Sequence, residues 1–254
     1  LSLSAARSAW LAAGAFVVVA AAGAVLTQGR TFDMLSTAFD REDERLRTLI
    51  AFALTAAALA ALVPTLGLPT SVYVTTVLTI AFGDLGRRLV LEVRESAFRA
   101  MAGFVILGAV AGVLGQVAVT VIGNGLHTSL VPEFLFIASS AAILVALLRS
   151  VMLARSDPLV LAIVALLLWL FADLAVAVGW EEIIVALAVS FLFGYISFAL
   201  ETASIPGMLT GVFLSLLAVV LGGYGWFVVL LAFFGIGGLS TKYRYDEKLR
   251  RGVA

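Results

Sequence analysis

The chain has no cysteine, one histidine (His127) and one asparagine (Asn124). Without cysteine there are no disulfides, no thiolate zinc sites and no cysteine nucleophile. A lone histidine excludes a two-histidine metal site within one chain. Asn124 is followed by Gly125-Leu126, so there is no Asn-x-Ser/Thr acceptor. Proline is scarce too. Pro64, Pro69, Pro132, Pro158 and Pro206 all fall at the edges of apolar runs, where proline sets helix ends without breaking a hydrogen-bond ladder. Charge is short as well: 13% of residues are Asp, Glu, Lys or Arg, about half the share in soluble domains. Its 16 cations are balanced by 16 anions, so the basic excess that a nucleic-acid partner calls for is missing.

Apolar residues fill the gap. They make up 63% of the chain, with a mean hydropathy of +1.15. A membrane-crossing helix needs about 20 mostly apolar residues. Nine such spans are legible, over 9–27, 48–64, 69–86, 100–123, 130–149, 158–178, 182–200, 206–222 and 224–240. The Ala-rich run 20–24 also admits a reading of the first span as a signal sequence. The last two spans, joined by Gly222-Gly223-Tyr224-Gly225, are either two tight helices or a re-entrant pair. The expected fold class is all-α, a polytopic transmembrane helical bundle with no soluble domain.

Basic residues give the orientation. With Arg149 at the inner end of the fifth span counted in the connection that follows it, the successive connections hold four, none, four, none, two, none, none, none and five Lys or Arg, and the N-terminal flank holds only Arg7. Basic loops resist translocation. The expectation is therefore a multi-pass protein of the cell membrane, N-terminus outside and C-terminus cytoplasmic. Trp10, Trp180 and Trp226 fall at outer span ends, as interfacial aromatics do. Gly108, Gly112 and Gly115 share one helix face, and Gly207 and Gly211 another; both read as close helix contacts. The longest polar segment, 28–47, reads as a solvated mixed-charge loop, with Ser36 or Thr37 capping a short surface helix.

Charges within spans ask for a reason, since each costs at least about 2.5–3.5 kcal/mol at the bilayer centre. Asp173 lies within the sixth span and reads as an intramembrane acid. Asp84, in Gly83-Asp84-Leu85-Gly86-Arg87-Arg88, and Glu201 fall at inner span ends. Each is either a salt-bridge partner for Arg87 or Arg88 or a ligand for Mg²⁺, which commonly takes one or two carboxylates plus substrate phosphates. No phosphate loop, GxGxxG turn or GxSxG elbow is present; the stretch Gly235 to Lys242 is glycine-rich but in the wrong order. The catalytic residues are not legible.

Three stretches carry a resemblance: Glu201-Thr202-Ala203-Ser204-Ile205-Pro206-Gly207-Met208-Leu209-Thr210-Gly211, the turn Gly222-Gly223-Tyr224-Gly225-Trp226, and Phe233-Phe234-Gly235-Ile236-Gly237-Gly238-Leu239-Ser240-Thr241-Lys242. With Lys248, Gly252 and Ala254 they resemble the DUF92 family of integral membrane proteins. That family includes the transmembrane protein 19 group and the phytyl-phosphate kinases, and is related to CTP-using dolichol and phytol kinases. Leu147-Leu148-Arg149-Ser150-Val151 and Asp157-Pro158-Leu159-Val160 are similar to the N-terminal half carried by haloarchaeal members. The resemblance implies phosphoryl transfer from a nucleoside triphosphate, CTP, to a prenyl monophosphate at the cytoplasmic face. It implies Mg²⁺ as cofactor, Thr241, Lys242 and Lys248 on phosphate, and membrane lipid or prenyl phosphate as partner. It also implies an N-terminal helical region over 1–200 and the opening of the family domain over 201–254. The chain begins without Met and stops before the family's acidic motif, as a piece of a longer protein would. Two other readings use the same residues: a transporter coupled through Asp173, or a non-catalytic membrane scaffold.

Overall fold

The computed structural model describes residues 3–36, 38–93, 96–123, 125, 128–152, 157–174, 177–242 and 250. No strand occurs among them. Nine long helices coincide with the nine apolar spans: α1 (Leu3–Val25), α4 (Arg47–Leu66), α5 (Thr70–Val93), α6 (Ala97–Gly123), α7 (Val131–Val151), α8 (Asp157–Asp173), α9 (Trp180–Ala199), α10 (Ile205–Gly222) and α11 (Tyr224–Lys242). Two short helices, α2 (Arg30–Leu35) and α3 (Ala38–Glu42), occupy the polar segment after α1. Among the described residues six helices are long and apolar enough to cross a membrane: α1, α4, α6, α7, α9 and α10.

The chain divides into two units, Leu1–Ala177 and Val178–Ala254. In the first, α7 is the most enclosed of the six apolar helices, and α6 pairs with α5. Glycines make that pairing close, as expected of Gly108, Gly112 and Gly115. A Cβ on Gly108 would stand 3.0 Å from the Thr79 carbonyl oxygen, and one on Gly115 2.7 Å from Leu78 and Val74. The seam extends further than the stripe suggested. Gly83 lies under the Phe104 ring, and Gly86 meets the Gly103 backbone. Separately, α1 packs on α4, with Phe16 and Phe52 edge to face at 6.2 Å.

The polar segment is less loose than a solvated loop. Asp40 is buried, and its Oδ1 accepts from the Thr48 backbone N–H at 3.0 Å and its hydroxyl at 3.2 Å, capping the first turn of α4 from outside the helix. Ser36 ends α2 instead of starting a helix, its N–H donating to the Phe32 carbonyl. Thr37 lies outside the described residues.

In the second unit α10 packs on both α9 and α11. Here the close glycine is Gly194 of α9, whose absent side chain admits Val212 and Met208. Gly207 and Gly211 do not play that part. A Cβ on either would meet neighbours only at 3.5 Å or beyond, ordinary contact. Of the two only Gly211 is buried, and it faces Phe193 of α9 across an ordinary 3.7 Å gap, so neither glycine is needed for a close approach. The α10–α11 joint is a tight turn between two continuous helices, with Gly223 at φ +80°.

Candidate functional site

Two places gather the residues singled out by sequence, one in each unit. In the first unit, Asp84 sits on α5 between Gly83 and Gly86, where the α6 backbone comes closest. Its carboxylate Oδ1 accepts from Arg149, in the last turn of α7. The Arg149 guanidinium also lies over the Phe104 ring, 5.6 Å from its centroid, a cation–π contact. The pair is partly enclosed, with side-chain exposures of 33% for Asp84 and 20% for Arg149.

The sequence put Asp84 with Arg87 or Arg88, one turn along the same helix. Neither is its partner. Arg88 reaches away to the Met34 carbonyl at 3.3 Å, tying the end of α2 to α5, and Arg87 is exposed. Residues three and four apart are neighbours on a helix surface, but packing of α7 on α5 delivers a better-enclosed cation. Arg149 was the residue missed. Its position, in the last turn of the fifth span on the same charged side as Asp84, was the one signal that could have found it.

In the second unit, the turn between α9 and α10 carries Glu201. Its φ is +55°, left-handed for a non-glycine residue, at the place just past a helix end that usually falls to glycine. The turn is held locally. The Thr202 hydroxyl donates to the Ser197 carbonyl at 2.7 Å, and Ser204 caps α10, its Oγ accepting from the Gly207 N–H at 3.4 Å. Phe198, Ala199, Glu201, Thr202, Ala203 and Ser204 line a shallow recess of ≈480 Å³. Glu201 is exposed at its edge.

The other expected residues fall as follows. The apolar run of the sixth span continues to 178, but α8 ends at Asp173, so this acid is the last residue of the helix and is exposed. Thr241 and Lys242 occupy the last turn of α11; their side chains, and all of Lys248, lie outside the described residues. Ahead of them Phe234 of α11 packs on Phe193 of α9 at 6.3 Å and on Phe233 at 5.6 Å.

The donor set can be tested against Mg²⁺. Among the described residues no three His, Asp or Glu side chains come together. Asp84, in the first unit, is engaged by arginine, and Glu201 belongs to the second. Glu201, exposed beside an open recess, suits a cation held mostly by phosphate oxygens and water. Asp84 suits it less, because Arg149 already balances its charge.

All-α among the described residues and with six helices long and apolar enough to cross a bilayer, the chain has the build of an integral membrane protein. Residues 188–254 match the family model described as integral membrane protein DUF92. That match takes in the second half of α9 and all of α10 and α11. No curated protein and no solved structure matches the chain.

Proposed function

We propose that this protein lies in the cell membrane as a multi-pass protein and takes part in phosphoryl transfer from a nucleoside triphosphate, CTP, to an isoprenoid monophosphate at the cytoplasmic face. The observation that carries the reading is the DUF92 match over 188–254, which covers the turn at Glu201 and the basic end at Thr241, Lys242 and Lys248. In the reaction, an oxygen of the lipid monophosphate forms a bond to the γ-phosphorus, the bridging β–γ bond breaks, and CDP leaves. Such transfers need positioning and charge stabilisation more than covalent chemistry. Lys242 and Lys248 supply cations for the phosphates, with the Thr241 hydroxyl as a further donor. Glu201 supplies one carboxylate for Mg²⁺, which when bound neutralises charge on the phosphates. The apolar flanks of α9, α10 and α11 give the isoprenoid tail a place within the bilayer.

The transport alternative leaned on an acid inside a span, and Asp173 stands at the end of α8. No other observation favours it.

The test is formation of lipid diphosphate from CTP and geranylgeranyl monophosphate by the protein in phospholipid nanodiscs, with this chain and the complete gene product side by side. Product from either supports the reading, and Lys242→Ala should slow its formation sharply. Absence of product from both, with nucleotides and Mg²⁺ varied, removes it.

A further inference from the structure

In the first unit, the most polar of the long helices is also among the most enclosed. Helix α5 is packed by α4, α6, α7 and α8, and it buries Tyr73, Thr75, Thr76 and Thr79. Three helices meet at Gly112 of α6. A Cβ there would stand 2.9 Å from Thr79 Oγ1, 3.0 Å from the Ala138 Cβ of α7 and 3.2 Å from Thr75 Cγ2. One turn further along α6, the buried Gln116 donates from Nε2 to the Phe134 carbonyl of α7 at 3.2 Å. Ser139 and Ser140 follow on α7, both buried. At 1.5 Å rise per residue, these side chains occupy one layer of the bundle about two helix turns thick.

Some of the layer is satisfied. Thr76 donates to the Val72 carbonyl at 2.8 Å, and Thr79 donates across to the Gly108 carbonyl at 3.2 Å. Three hydroxyls are not: Tyr73 Oη, Thr75 Oγ1 and Ser140 Oγ are buried with no hydrogen-bond partner among the described residues. Buried polar groups in proteins are almost always bonded, to protein or to water, and hydrocarbon offers no substitute. The layer is also free of charge. The stretches 72–80, 111–117 and 134–141 contain no Asp, Glu, Lys, Arg or His. Glu133 lies one residue beyond it, and the Asp84–Arg149 pair lies toward the other end of α5. A divalent cation would require carboxylates and an anion a fixed positive charge. Hydroxyls and an amide, each able to donate and accept, complement a neutral molecule that does both.

We infer that this layer is an internal binding site for water, with Tyr73, Thr75 and Ser140 as its protein partners. The inference stands apart from phosphoryl transfer.

X-ray hydroxyl-radical labelling in H₂¹⁸O tests it, because bound water activated in place oxidises the side chains beside it. The protein in nanodiscs should take ¹⁸O at Tyr73 at a rate close to that of the exposed Tyr224 and well above that of the buried Phe227. In the double variant Thr75→Val, Ser140→Ala the Tyr73 label should be lost while Tyr224 is unchanged. Tyr73 labelling no faster than Phe227 in the parent protein overturns the inference. So does a Tyr73 label that persists in a folded double variant. If that variant does not fold, the Tyr73-to-Phe227 ratio in the parent decides alone.

Discussion

The carboxylate of Asp84 on α5 is held by the guanidinium of Arg149 on α7, two residues far apart in sequence. Partial enclosure sets the worth of the pair between a surface ion pair, near zero to 1 kcal/mol, and a buried one, whose rupture costs about 3–5 kcal/mol. Arg149→Ala should destabilise by about 1–3 kcal/mol on that scale. The double variant with Asp84→Ala should cost less than the sum of the two single changes. Thermal unfolding in detergent measures this cycle. Strict additivity would mean the two residues do not interact.

Glycine contacts separate two classes of substitution. Gly83→Ala places a methyl 2.6 Å from Phe104, and overpacking of this kind costs about 1–3 kcal/mol. Gly207→Ala meets only ordinary contacts at 3.5 Å, and removing a helical glycine gains up to about 1 kcal/mol. The first variant should melt lower and the second no lower than the parent. Trimming the ring, in Gly83→Ala with Phe104→Leu, should recover part of the loss.

Glu201 occupies a left-handed position at a cost of about 1–2 kcal/mol, which glycine would not incur. Glu201→Gly should therefore raise the melting temperature. If Glu201 serves Mg²⁺ and phosphate, the same variant should transfer phosphoryl groups more slowly and need more Mg²⁺ for half-maximal rate. A gain in stability with unchanged Mg²⁺ dependence would leave the residue without that role.

The basic end of α11 carries the remaining prediction. Lys242→Ala should lower kcat/KM for phosphoryl transfer by about 10²-fold, the scale of losing one group that stabilises developing charge. Lys242→Arg should recover part of it, because the cation is kept while the point geometry is not. Equal rates for all three proteins would take Lys242 out of the reaction.

Most of the helical layout was legible because hydropathy and proline placement act locally: each of the nine apolar runs became a helix. The end of α8 was not. Leu174 to Val178 continue the apolar character past Asp173, so composition alone ran the span onward. Partners were harder to read than elements. Asp84 had two arginines at helical spacing, yet its contact comes from Arg149 of α7, a helix whose packing on α5 no local pattern in the sequence shows. The same limit misplaced the close contact of the second unit. The Gly207–Gly211 spacing on α10 was visible, whereas the lone Gly194 on α9 gave no pattern. The family resemblance, read from motifs in 201–254, meets a match beginning at 188.

The polar face of α5 bears on how the chain enters a bilayer. This helix is absent from the six that are apolar enough to cross on their own, and its hydroxyls and Asp84 would make a solitary passage costly. Its seam with α6 offers a remedy, since the two are consecutive and α6 is strongly apolar. Insertion of the two as one hairpin, with the glycine contacts already closed, would let α6 carry α5 into the lipid. A bulky residue in that seam would then show itself first during synthesis, as a protein with one helix left outside, before any loss appeared in the finished molecule.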